Sequence, residues 1–132
     1  MAIYVTSDAH GHVHALDEAL SKISLTSDDT LYVLGDMIDR GPDPVGVIKL
    51  VRSLPNARVL KGNHEQIMLD AIIGQDPLDA ETWDINGGWT TREQLNDMEF
   101  DEYEELVRWM AALPLYAVAE TEERPYLLVH AG

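Results

Sequence analysis

The sequence predicts an α/β layer structure, and three observations carry that prediction. Short apolar runs alternate with segments of helical periodicity at brief intervals through the first half of the chain. Four of the predicted strands lead directly into polar clusters that contain glycine. No internal repeat or low-complexity segment interrupts the alternation. With 132 residues, 45% of them hydrophobic, residues 1–132 make one domain with enough apolar content to bury a core.

Ala2 to Ser7 is a compact apolar strand. Val13, Leu16, Ala19, Leu20 and Ile23 then recur at helical spacing. Thr30 to Leu34 is a second strand. Asp43 before Pro44 supplies an N-cap and a first helical position, and Val47, Ile48, Val51 and Leu54 give that helix its buried stripe. Ala57 to Leu60 is a third strand, followed by a helix marked by Ile67, Met68, Ala71 and Ile72 that stops at Gly74. The stretch from Gly74 to Gly88 reads as a loop with a single helical turn. Thr90 and Glu93 have the spacing of a capping box. Asp101 with Glu104 opens a further helix, with Tyr103, Leu106, Val107, Met110 and Leu113 inward and Pro114 as its stop. Leu115 to Glu120 and Tyr126 to Val129 read as two strands around a turn.

The formal net charge of −15 repels nucleic-acid phosphates and anionic lipid heads, so neither is expected as a partner. It suits a site that gathers divalent cations, although a merely solvated acidic surface has the same charge. The absence of cysteine excludes disulfides, thiolate ligands and a thiol nucleophile. The start, Met1-Ala2-Ile3-Tyr4-Val5, has neither a basic n-region nor a long apolar stretch. A cytoplasmic protein is therefore expected.

The chemistry lies in the clusters after the strands. These are Asp8-Ala9-His10-Gly11, Gly35-Asp36-Met37-Ile38-Asp39-Arg40-Gly41, Gly62-Asn63-His64-Glu65 and His130-Ala131-Gly132. In an open α/β sheet the carboxyl ends of strands are where ligands bind, so the clusters can converge on one place. Asp, His and Asn without Cys suit manganese, iron or zinc held by oxygen and imidazole. Two such ions act together on in-line attack at phosphorus and make hydroxide available near neutral pH. Taken singly, each residue has a plainer use. Asp36 and Asp39 favour turns, Asn63 can cap a helix, and His130 alone is more often structural. His12 and His14 fall outside the clusters and read as ordinary helix-start residues.

As a set, the clusters resemble the signature of the phosphoprotein-phosphatase branch of the calcineurin-like metallophosphoesterases, in order and in approximate separation. Asn86-Gly87-Gly88-Trp89-Thr90 resembles a segment of the bacterial and phage members, such as lambda phosphatase. The resemblance implies a sandwich of mixed sheets flanked by helices, holding two divalent ions, with manganese the leading choice and iron or zinc also suited. It implies that Asp8 and His10 hold one ion, that Asp36 bridges both, and that Asn63 and His130 complete the second. It further implies that His64 is the general acid, that Asp39 orients it, and that Arg40 clamps phosphate oxygens. Lys61 stands where many members carry Arg and is expected to contact substrate as a point charge.

Family members usually continue past the His-Ala-Gly motif, and that region supplies further strands, a Gly-His ligand and another phosphate-binding Arg. The expectation is thus of a fold missing its C-terminal part, a weakened first metal site, and an open edge that a second copy of the chain could complete. The expected function is hydrolysis of phosphate monoesters, chiefly phosphoserine or phosphothreonine in protein, by metal-activated water. The Asp39-Arg40 pair favours that branch. The alternatives are a dinucleoside polyphosphate hydrolase and an inactive metal-binding or partner-binding fragment.

Overall fold

The computed structural model describes residues 1–74 and 76–130, so Ala131 and Gly132 of the last cluster lie outside the described residues. Three strands, β1 (Ile3–Thr6), β2 (Thr30–Val33) and β3 (Ala57–Val59), form a parallel sheet in that order. Parallel neighbours need crossovers, and α1 (Val13–Ser21) and α2 (Pro44–Ser53) supply them. The central strand, β2, is the most apolar of the three, with Leu31, Tyr32 and Val33 all buried. Thr6 pairs with Val33 and Val33 with Val59, so the three strands finish level with one another. That alignment delivers three of the polar clusters to one edge of the sheet.

The start of α2 follows from its sequence. The Asp43 carboxylate accepts from Gly46 N at 2.9 Å and Pro44 occupies the first turn, where its missing N–H costs nothing. Val47, Ile48 and Val51 bury the stripe expected of them. Helix α3 (Asn63–Ile73) begins at the third cluster, with Gly62 rather than Asn63 at the N-cap.

The segment expected to be a loop is largely helical, as α4 (Pro77–Ile85). Asp76 caps it by accepting from Leu78 N, with Pro77 in the first turn, which is the same signal as Asp43-Pro44. Helix α5 (Trp89–Asn96) starts at Gly88, so Thr90 and Glu93 lie inside it and form no capping box. Helix α6 (Phe100–Ala111) starts after Glu99 and buries Leu106 and Met110. The chain then forms an antiparallel hairpin, β4 (Tyr116–Glu120) and β5 (Pro125–Val129), with Tyr116 opposite Val129.

The core joins the parallel sheet to α2, α3, α5 and α6 through Leu31, Val33, Val47, Met68, Leu95 and Met110. The hairpin is a separate two-stranded sheet, so the described residues contain one parallel and one antiparallel sheet. Tyr116, Val118, Leu127 and Val129 are all exposed on it, in keeping with the expected uncovered apolar surface. Among the described residues, no helix is long and apolar enough to cross a membrane.

Candidate metal centre

Backbone conformation is unusual where the clusters meet. Asp8, His10, Asp36, Asp39 and Arg40 all have positive φ, between 41° and 71°. Non-glycine residues seldom adopt this region, and when they cluster there the surrounding structure must impose it. Cross-links between loops do so: Asp8 N donates to Gly35 O at 3.1 Å, His10 N to Asp36 O at 3.0 Å, and Gly11 N to Met37 O at 2.9 Å. Gly35, at φ +100°, lets the second and third clusters touch, since a Cβ there would lie 2.3 Å from Gly62 N.

Glu65 fastens the same junction from below. It is fully buried, with Oε1 accepting from Asp36 N at 2.7 Å and Gly62 N at 2.8 Å, and Oε2 accepting from Met37 N at 2.9 Å. Burial pushes its carboxyl above the usual range, against the opposing pull of those N–H groups.

Asp36 occupies the centre. Its Oδ1 accepts from His64 N at 2.9 Å. Its Oδ2 lies 3.1 Å from His130 Nε2 and 3.8 Å from His10 Nε2, while Asp8 Oδ1 lies 3.6 Å from the same His10 nitrogen. The Asn63 amide terminus facing this group is 2.8 Å from His130 Nε2 and 3.1 and 3.2 Å from the two Asp36 oxygens. Burial alone would raise the Asp8 carboxyl, but Ser7, Asp36 and the His130 and His10 imidazoles leave it below its ordinary value.

The donor set fits divalent cations. His10 Nδ1 and His130 Nδ1 each bond a backbone carbonyl at 2.8 Å, Ile38 O and Leu34 O respectively. Each neutral imidazole with its proton on Nδ1 turns the Nε2 lone pair toward the carboxylates. Ligand atoms of Asp8, Asp36 and His130 lie within 4.8 Å of one another, and so do those of His10, Asp36 and His64. Asp36 belongs to both groups. A shared, buried carboxylate between two clusters of lone pairs is what a pair of cations requires.

His64 and Asp39 form a second buried arrangement beside it. His64 Nδ1 bonds Asp39 Oδ2 at 2.7 Å, and its ring meets His10 edge-on, with centroids 4.6 Å apart. Asp39 is completely buried, and its Oδ1 accepts from the Thr91 hydroxyl at 2.7 Å and the Trp83 indole N–H at 3.0 Å. Arg40 is exposed at the rim, with its N–H on Gly87 O at 2.9 Å, and forms no ion pair among the described residues.

Asp8, His10, Asp36, Asp39, Asn63, His64 and His130 are therefore brought together. Lys61 is not. Its ammonium donates to Ala111 O at 3.1 Å, at the end of α6, where an unpaired carbonyl and the helix dipole attract a cation. His12 and His14 are exposed at the start of α1, as expected. Sequence reasoning assigned no role to Glu65, Trp83 or Thr91. A tryptophan in an acidic stretch, close before a Gly-Gly pair that a second tryptophan follows, was the available signal for Trp83.

The sequence matches the calcineurin-like phosphoesterase family over residues 1–132. It is 33% identical over 135 residues to a symmetrical bis(5'-nucleosyl)-tetraphosphatase of Erwinia tasmaniensis, covering 100% of this chain and 44% of that protein. It is 32% identical over 137 residues to the enzyme of the same name from Proteus mirabilis, covering 100% of this chain and 45% of that one. The chain thus spans less than half the length of the curated relatives it matches. Among solved structures, a protein serine/threonine phosphatase from Saccharomyces cerevisiae superposes with a TM-score of 0.72 at 22% identity, covering 98% of this chain and 38% of that one. A metallophosphoesterase from Sphaerobacter thermophilus gives 0.61 at 25% identity, covering 89% of this chain and 42% of that one.

Proposed function

Because the chain belongs to the calcineurin-like phosphoesterase family, we propose that it carries the metal-binding part of a hydrolase that cleaves dinucleoside polyphosphates. The observation that supports it is the convergence of imidazole and carboxylate atoms from the ends of β1, β3 and β5 on Asp36, at the end of β2. By the family resemblance, Asp8 and His10 would hold one cation with Asp36, and Asn63 and His130 the other. The tightest donor groups among the described residues instead pair Asp8 with His130 and His10 with His64 about Asp36. When bound, such cations withdraw charge from phosphate oxygens and acidify the attacking water. Manganese is the first ion to test, and the setting we propose is cytoplasmic.

The remaining work falls to the chain's own side chains. His64 presents Nε2 to the site because Asp39 holds Nδ1. Once protonated, that nitrogen gives its proton to the oxygen that leaves phosphorus, while Asp39 stabilises the imidazolium. Arg40 places a planar fork at the rim, suited to two phosphate oxygens at once. Attack by water on a central phosphorus of a symmetrical dinucleoside tetraphosphate gives two nucleoside diphosphates.

The tetraphosphatase likeness favours this substrate class over the protein phosphatase expected from Asp39-Arg40. That likeness covers the whole chain at 33% identity, whereas the likeness to the yeast protein phosphatase, at 22%, bears on the fold alone. The test compares cleavage of diadenosine tetraphosphate with phosphate release from a phosphoserine peptide, both with manganese. We expect the dinucleotide to be the better substrate, and Asp36→Asn to lower its turnover by more than about 100-fold, beyond the usual cost of losing a supporting residue. Preference for the phosphopeptide would restore the protein-phosphatase assignment. Metal binding without any hydrolysis would favour the inactive fragment.

A further inference from the structure

Asn86-Gly87-Gly88-Trp89-Thr90 and its neighbours have no part in the reaction as set out above, yet they lie directly behind the acid–base pair. We infer that Trp83 and Thr91 are positioning residues that lock Asp39, and through it the orientation and tautomer of His64. This assignment rests on the proposed function for its catalytic meaning, and on distances alone for its geometry.

A buried carboxylate beside an imidazole can rotate and offer either oxygen, or both. Here Oδ1 is already filled by the Thr91 hydroxyl at 2.7 Å and the Trp83 N–H at 3.0 Å, which leaves Oδ2 for His64 Nδ1 at 2.7 Å. Thr91 also accepts from Asp39 N at 2.9 Å, so its hydroxyl fixes both backbone and carboxylate. A left-handed Asp39, at φ 71°, needs such a clamp.

Two features indicate that the indole is placed for its N–H. Its Cδ1 edge lies over Gly88, where an added Cβ would be 2.2 Å away. On its flank is a surface pocket of about 250 Å³, partly open to solvent and lined by Ile72, Ala80, Leu95 and Tyr103 with Arg92 and Asn96, so packing does not enclose the ring on every side. The same short segment supplies Gly87 O to Arg40 N at 2.9 Å. One loop and two helix ends therefore hold both residues of the Asp39-Arg40 pair.

The test uses Trp83→Phe, which keeps an aromatic ring but removes the donor, with Thr91→Val and Thr91→Ser. Nitrogen-labelled histidine NMR reads the His64 tautomer without needing turnover, with His64→Asn identifying the signal. We expect the parent and Thr91→Ser to show a single Nδ1–H tautomer with a slowly exchanging proton. Trp83→Phe and Thr91→Val should lose that protection. In hydrolysis, both should lower kcat by about tenfold on an aryl ester with a poor leaving group and far less on 4-nitrophenyl phosphate, with KM little changed. An unaltered His64 signal in Trp83→Phe and Thr91→Val overturns the assignment, as does an equal loss on both esters. A parent chain that hydrolyses nothing would count against the proposed function, while the spectroscopic comparison still decides this one.

Discussion

Asp8, His10, Asp36, Asp39 and Arg40 show what was legible one residue at a time. Their types and their places after strands were plain in the sequence, because strand ends are where an α/β sheet puts its ligands. Their left-handed backbones were not, since those depend on bonds made between loops. The side chains that hold them were equally hidden. Glu65 reaches Met37 across 28 residues, Trp83 reaches Asp39 across 44, and Thr91 reaches it across 52. Gly35 is the residue on which the junction turns. Alanine there would meet left-handed strain and a Cβ 2.3 Å from Gly62 N. Gly35→Ala should therefore cost about 2–3 kcal/mol of stability. Urea denaturation would measure it, and a change below about 0.5 kcal/mol, the size of an ordinary surface substitution, would refute the close approach as drawn.

Among the elements, the parallel sheet and its crossovers were readable because their apolar stripes are clean. Helix α4 was not, although Asp76-Pro77 repeats the signal of Asp43-Pro44. It buries only Trp83 and leaves Leu78 and Ile85 exposed, so no stripe marks it. In α5, local spacing pointed to Thr90 with Glu93 as a capping pair, but both lie inside the helix, and it is the neighbouring Thr91 whose hydroxyl serves Asp39. The link between β1 and β2 has its own titrating group. Asp29 accepts from Thr26 N at 2.9 Å and Ala2 N at 2.8 Å, and these backbone N–H groups hold its carboxyl below the usual range. A depressed carboxyl contributes stability that is present above its unfolded pKa and lost as pH falls toward the folded one. Asp29→Asn should therefore destabilise the chain at pH 7, with the difference from the parent shrinking by pH 3. Thermal melts of both proteins at the two pH values check this, and a gap that widens in acid would contradict the sign.

For the whole molecule, the question is how the hairpin stays with the rest. A two-stranded sheet is marginal by itself, and of β4 and β5 only Ala119 is buried. One tie is specific: His130 Nδ1, just beyond β5, bonds Leu34 O just beyond β2 at 2.8 Å. The other face of the same ring lies 3.1 Å from Asp36, where a cation would bind His130 to both the sheet and α3. Metal binding should thus stabilise the hairpin more than the core strands, since linkage adds about 2.7 kcal/mol when the free ion stands at about 100 times its Kd. Hydrogen exchange followed by mass spectrometry can resolve the two regions. Without metal, amides of Tyr116–Val129 should exchange faster than those of Leu31–Val33. Manganese should slow the hairpin, EDTA should reverse the effect, and Asp36→Asn should show neither response. If manganese protected both regions of Asp36→Asn as well as it does the parent, the ion would be binding somewhere other than between Asp36 and His130.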